Sequence, residues 1–270
     1  MTVAAEEFDS KRFPLLNPFL EAEYLYHSGD FDKAQLFYQN FLNGKPGGSR
    51  GNTALYRLGT IHQKNHSFAT ALRYFKMVMS RTPSLELSHD TNFSLAQCLF
   101  ELEQYTEAEA LFEKIKLSHP DTKKKWEAKI YIGRSYEKRL DSESAIEKLR
   151  VIYYQNEIKA LNSEAERLIK LIIENQLNKT QLIRLSKKYS SEFPLDQILL
   201  GLISIYRDER NLEQLRKIIS EFLRLFPENS DRFVVESTLK QIEENKENNL
   251  RIGAVLPLTG KMALSGQQVL

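Results

Sequence analysis

The sequence repeats itself every 37 residues, and that period restricts the chain to an array of small supersecondary units. Starting from GDFDKAQLFYQNFLNGKP at residues 29–46, a step of 37 carries Ala34 to Ala71, Ala108 and Ala145. Tyr38 goes to Phe75, Phe112 and Leu149. Pro46 goes to Pro83 and Pro120, is replaced by Glu157, and returns at Pro194. In the segment before each of these, Ala22 goes to Gly59, Ala96 and Gly133.

Each column has a physical reason. A small residue in the first helix (Ala22, Gly59, Ala96, Gly133) and another in the second (Ala34, Ala71, Ala108, Ala145) let two helices approach closely. The large residue four positions after the second small one lies on the same helix face one turn on and fills the space beside the contact. The proline ends the second helix, because its ring blocks continuation. One such hairpin cannot bury its own apolar faces, whereas a stack of them can.

These columns resemble the tetratricopeptide repeat, most plainly in LYRLGTIHQKNHSFATALRYFKMVMSRTP (residues 55–83) and LAQCLFELEQYTEAEALFEKIKLSHP (residues 95–120). The resemblance implies an all-α, right-handed α-solenoid of about six hairpins. The family unit has 34 residues, so a period of 37 implies three extra residues in each inter-repeat loop, of which GKPGGSRGN (residues 44–52) is one. A fifth unit, residues 163–194, places Lys170 and Ser186 where small and aromatic residues belong, which predicts altered packing. A sixth recovers Tyr206, Phe222 and Pro227, with Leu215 in its small-residue slot. Residues 231–247 then predict an amphipathic capping helix with Phe233, Val234, Leu239 and Ile242 on the covering side.

Little in the sequence suggests catalysis. Residues 44–52 are glycine-rich but lack a preceding strand and a Gly-Lys-Ser/Thr ending, which argues against a phosphate loop. His62 and His66 are spaced as a zinc-binding pair, yet Gln63 stands where a metalloprotease needs glutamate and no third ligand is near. They read as a packing histidine and a turn residue. Cys98 is alone and reads as a core residue. The Asn-x-Ser/Thr triplets at Asn65, Asn92 and Asn178 are common by chance. Lys plus Arg (38) almost balances Asp plus Glu (36), so no strong field draws in nucleic acid, and Lys123, Lys124 and Lys125 read as a solvated loop. No run reaches the ~18 apolar residues of a membrane span. No cofactor or metal is implied.

The sequence points instead to a protein–protein scaffold. In the resembled family the first helix of each unit lines a concave face. The matching slots here are Phe19, Tyr56, Phe93, Ile130 and Leu200, with Arg167 interrupting, and the adjoining slot gives Tyr26 and Phe100. Flanked by Glu23, Gln97, Glu101 and Arg134, these aromatics suggest a groove for a partner's peptide or helix. Two alternatives stand beside it: the same side chains fold sideways into the core, or the N-terminal segment with Phe8, Phe13 and Leu15 fills the groove.

The last stretch, RIGAVLPLTGKMALSGQQVL (residues 251–270), has a different character. Ile252, Gly253, Val255 and Leu256 form a short apolar run of strand type, closed by Pro257 and by Thr259-Gly260. It resembles the first strand and loop of type I periplasmic binding proteins, in which Leu258, Thr259 and Gly260 would lie near a ligand. The expected organisation is an N-terminal extension (1–14), a solenoid with its capping helix (15–250) and the start of a truncated α/β domain (251–270). Together the two halves resemble the penicillin-binding-protein activator lipoproteins, which implies a periplasmic, outer-membrane-anchored regulator of peptidoglycan synthesis with a cell-wall enzyme as partner. In that reading any small-molecule ligand belongs to the missing C-terminal domain, and the N-terminus MTVAAEEFDSKRF carries no secretory signal. The alternatives are an accessory arm of an amino-acid-type solute receptor and a cytoplasmic adaptor.

Overall fold

In the computed structural model, residues 17–155 and 157–248 are described, the side chains of residues 244–248 excepted. Among them the fold is all-α, thirteen helices with no strand. The expected strand and loop within residues 251–270 and the N-terminal extension lie outside the described residues. No described helix is long and apolar enough to cross a membrane.

The helices follow one another in pairs: α1 (Pro18–Ser28) and α2 (Phe31–Asn43), α3 (Gly48–Lys64) and α4 (Phe68–Met79), α5 (Leu85–Glu101) and α6 (Tyr105–Ser118), α7 (Thr122–Lys138) and α8 (Ser142–Gln155), α9 (Lys159–Gln176) and α10 (Lys179–Ser186), α11 (Leu195–Asp208) and α12 (Leu212–Leu225). A last helix, α13 (Arg232–Asn248), follows. The chain divides into two compact units, one up to Tyr131 and one from Ile132. In the first unit each helix from α1 to α5 packs on the next, and α3 also meets α1 and α5. In the second, α8 packs on α9, α11 packs on α9, α10 and α12, and α13 covers α12.

The repeat columns form the core. Ala34, Ala71, Ala108 and Ala145 are all 0% exposed, as are Tyr38, Phe75, Phe112 and Leu149. The first-helix column shows how close the approach is. A Cβ placed on Gly59 would lie 2.5 Å from the Phe75 ring, and one on Gly133 would lie 2.7 Å from a Leu149 methyl.

A further column emerges in the turns within the hairpins. Gly29, His66, Glu103 and Leu140, again 37 apart, all have left-handed backbone (φ 88°, 54°, 62° and 62°), as has Arg210 (φ 55°). After each, the next amide reaches back five residues, as from Asp30 to Leu25, Ser67 to His62, Gln104 to Leu99, Asp141 to Tyr136 and Asn211 to Tyr206. This is the Schellman closure that satisfies the last carbonyls of the first helix and aims the second back along it. Glycine takes this conformation without strain, but here it occupies only the first site.

Three expectations need correcting. The three residues beyond the family length are not in the loops, which span only residues 44–47, 80–84 and 119–121 between successive hairpins. They extend the first helices, each of α3, α5 and α7 being 17 residues long. Gly48 to Asn52 are therefore helical, and Gly51 is glycine because a Cβ there would lie 2.3 Å from the Pro46 carbonyl oxygen. Pro194 does not end α10, which stops at Ser186; it stands instead at the N-cap of α11. In the fifth pair α10 is only 8 residues long, consistent with the loss of the aromatic slot to Ser186. Finally, α13 covers its neighbour with Val235, Thr238 and Ile242, while Phe233 is 79% exposed. The spacing of 3 and then 4 residues selects that face over the one through Phe233 and Val234.

Candidate partner-binding groove

The first helices of neighbouring hairpins in the first unit are joined by side chains 34 residues apart. Equivalent positions lie 37 apart, so each bond links one position to a neighbour's equivalent one helical turn earlier. Between α1 and α3, Arg57 donates two hydrogen bonds to the Glu23 carboxylate, at 3.2 and 3.3 Å. Its guanidinium lies 4.4 Å from the Tyr26 ring centroid. The Tyr26 hydroxyl meets that of Thr60 at 3.1 Å, and Thr60 donates to the Arg57 carbonyl at 2.8 Å. The Tyr38 hydroxyl also donates to Glu23. Burial pushes the Glu23 carboxyl upward, but the hydrogen bonds from Arg57 and Tyr38 outweigh it and hold the group below the ordinary glutamate value. Its own burial, and then the same contact, raise the Tyr38 phenol far above its usual value.

Between α3, α5 and α7 the hydrogen bonds at this spacing join uncharged side chains. The Gln63 amide donates to the Gln97 carbonyl oxygen at 3.0 Å, and the Gln97 amide donates to the Tyr131 hydroxyl at 3.1 Å. This ladder lies in an open cleft of about 280 Å³, lined also by Lys64, His66, Phe68 and Glu101.

The aromatics expected to line the groove serve mostly as its foundation. Phe93 and Phe100 are each 3% exposed, and Phe19 and Ile130 are buried too. Phe93 packs edge-to-face with Tyr131 at 6.3 Å and Phe100 does so at 5.3 Å, while Phe112 stacks on Tyr131 at 4.6 Å. The side chains therefore fold inward, the alternative that the sequence left open, because a first helix packed on both sides has no free apolar stripe. Phe19 packs on Phe41 and Tyr38 in the same way. Tyr26 and Tyr56 are half-buried; burial raises the Tyr56 phenol. Arg134 belongs to the second unit, where it lines a separate cleft of about 410 Å³ with Glu137, Lys138, Glu164 and Arg167. Leu200 is buried there as well. Of the flanking polar residues, Gln97 and Glu101 do line the cleft of the first unit. Gln63 and Tyr131 went unrecognised; their signal is polar side chains recurring every 34 residues rather than every 37.

The histidine pair does not converge. His62 stacks on Tyr74 at 5.4 Å and its imidazole is lowered by burial, whereas His66 is the left-handed turn residue. Among the described residues no group of three His, Cys, Asp or Glu side chains is placed to hold a metal. The Cys98 thiol is buried, and burial together with the Glu101 charge pushes it up to about 12.

Comparison with known proteins agrees with the repeat reading. Residues 90–122, spanning most of α5, all of α6 and the turn into α7, match the tetratricopeptide repeat family. Similar solved structures include the tetratricopeptide domain of P58(IPK), at 20% identity over 85% of this chain, with a TM-score of 0.39. The chain spans 64% of that structure's length. A second is the Rap conjugation gene regulator of the plasmid pLS20 in complex with the Phr* peptide, at 14% identity over 95% of this chain and 83% of that one, with a TM-score of 0.44. No curated protein matches the sequence significantly.

Proposed function

We propose that the chain is a non-catalytic scaffold that binds an extended peptide segment of a protein partner in the cleft of its first unit. The observation that carries this is the Gln63–Gln97–Tyr131 ladder along the cleft floor. A primary amide offers two donors and an acceptor with two lone pairs, and the ladder uses only part of that capacity. Amides placed at intervals suit the alternating N–H and C=O groups of an extended backbone, whatever its side chains. Lys64 and Glu101 on the rim supply charges of both signs to orient it. Peptides selected on the full chain from a random library provide the test. Their affinity should fall at least about tenfold, or ~1.4 kcal/mol, in Gln97→Leu, with the helical spectrum unchanged. Selection of no peptide, or equal binding by a folded Gln97→Leu variant, would refute the proposal.

A finer reading, an envelope protein that regulates a cell-wall enzyme, is supported by the Ile252-Gly253 to Thr259-Gly260 string following a helical repeat array. Reading the gene on either side of this segment tests it. A downstream two-lobed α/β domain and an upstream lipid-bearing cysteine are the expected finds, and the absence of both would count against it.

A further inference from the structure

The geometry points to His119 as a proton-sensitive latch on the turn between α6 and α7. Its neutral ring holds the turn, and proton uptake releases it together with the helix that carries Tyr131 to the cleft. The His119 side chain is 4% exposed. Its Nδ1 accepts a hydrogen bond from the Asp121 backbone N–H at 3.1 Å, immediately before the first residue of α7. Asp121 in turn caps the helix: its carboxylate accepts the Lys123 N–H at 2.7 Å and its carbonyl accepts the Lys125 N–H at 3.1 Å. Because Nδ1 is an acceptor, the single proton of the neutral ring must sit on Nε2. Nε2 is buried, without a hydrogen-bond partner among the described residues.

An imidazolium carries a proton on both nitrogens. A proton on Nδ1 would face the Asp121 N–H, donor against donor, and the bond that ties the turn would be lost. The new charge would also be enclosed. The His89 ring lies 5.3 Å away and the Phe93 ring 6.5 Å away. The ammonium of Lys124 stands 4.2 Å over the same Phe93 ring. Burial lowers the His119 imidazole most, and His89 and Lys124 lower it further, while Asp90 on α5 and Asp121 oppose them; the net direction is down. The neutral ring thus contributes stability above the ordinary histidine value of about 6.5, and that stability is lost as the pH falls through the lowered folded value.

The link to the cleft is direct. Phe93, which His119 touches, packs edge-to-face with Tyr131, the last rung of the ladder. The consequence for binding rests on the proposed function, but the latch itself does not.

The test is amide hydrogen exchange at Asp121 in the full chain, corrected for the intrinsic rate, from pH 7.5 to pH 5. Protection should be constant down to about pH 6.5 and then fall by up to about tenfold per pH unit. In His119→Asn the side-chain oxygen can take the place of Nδ1 as acceptor and does not titrate, so protection should stay level. His89→Asn should retain the fall. Level protection in the unaltered chain, or the same fall in His119→Asn, would overturn the proposal. Should His119→Asn not fold, the ring nitrogen spectrum of the unaltered chain decides: a proton on Nε2 at pH 7.5 supports the latch, and one on Nδ1 overturns it. Peptide binding at pH 7.5 and pH 5.5 reads out the cleft separately. Acid weakening is expected in the unaltered chain and not in His119→Asn; a chain that binds no peptide leaves the exchange result to judge the latch alone.

Discussion

Adding one methyl group at Gly59 should destabilise the first unit, although helix propensity alone predicts the reverse. Alanine in a helix interior is favoured over glycine by about 1 kcal/mol. Against this, the new Cβ would stand 2.5, 2.8 and 2.9 Å from three Phe75 ring carbons, where about 3.5–4.0 Å is comfortable. The ring cannot yield easily. It is 0% exposed and backed by Tyr56 at 5.7 Å. Relieving the overlap means moving a helix or turning a buried aromatic, an overpacking cost of up to about 3 kcal/mol. The net expectation for Gly59→Ala is a loss of about 2 kcal/mol, roughly thirtyfold in the unfolding equilibrium. Urea unfolding followed by Trp126 fluorescence, the only tryptophan in the chain, measures this for the first unit. Gly201→Ala in α11 is the control, followed by circular dichroism. Its Cβ would lie 3.3 Å from the end of the flexible Leu182 side chain beside a small cavity, so it should gain about 0.5–1 kcal/mol. Phe75→Leu should offset part of the Gly59→Ala loss, giving a coupling between the two sites. If Gly59→Ala is as stable as the unaltered chain, the close-approach account of the small-residue column is wrong.

Three further expectations follow from the same structure. Leu140 is 77% exposed with φ 62°, so Leu140→Gly should relieve left-handed strain and stabilise by ~0.5–1 kcal/mol; Gly29→Ala, with no atom within 4 Å to clash, should cost about 1 kcal/mol through backbone strain alone. Thermal unfolding of both checks this, and shifts of the same sign would contradict it. The Glu23 carboxyl is held below its ordinary value of 4.5, so its contribution is present above that value and fades as the pH falls through the lowered one. At neutral pH Glu23→Gln should lose ~1.5–3 kcal/mol, and its deficit should shrink toward pH 3; a deficit independent of pH would refute the assignment. Finally, the Cys98 thiol, buried and pushed up to about 12, should not react with a disulfide reagent at pH 8 until urea unfolds the first unit, and rapid labelling of the folded chain would contradict its burial.

The core was legible because its columns demand particular sizes. Only a small residue fits at Ala22, Gly59, Ala96 and Gly133, and only a large one fills the place of Tyr38, Phe75, Phe112 and Leu149, so the chemistry of each site is written into residue volume. The groove was less legible because an aromatic residue on a first helix suits either a core or a binding surface. Phe93 and Phe100 proved to be core, and the choice depended on packing by both neighbours, which no single helix reveals. The Gln63–Gln97–Tyr131 ladder escaped because its spacing reflects the one-turn offset between adjacent hairpins, not the repeat itself. The capping helix was placed correctly within a residue, yet its inward face was turned toward Val235 and Thr238 because two valines in succession leave the register open. The left-handed turns were invisible at His66, Glu103, Leu140 and Arg210, where no glycine marks them.

The sequence of neighbour-on-neighbour packing in the first unit has a kinetic side. Every stabilising contact there joins segments that the ribosome releases within a few dozen residues of one another, so little loop entropy has to be surrendered before a pair of helices is rewarded. Such a segment can begin ordering from any of its hairpins while the chain is still being made. Pulled from one end, it should give way as a staircase of small extensions, one hairpin at a time, instead of in a single rupture.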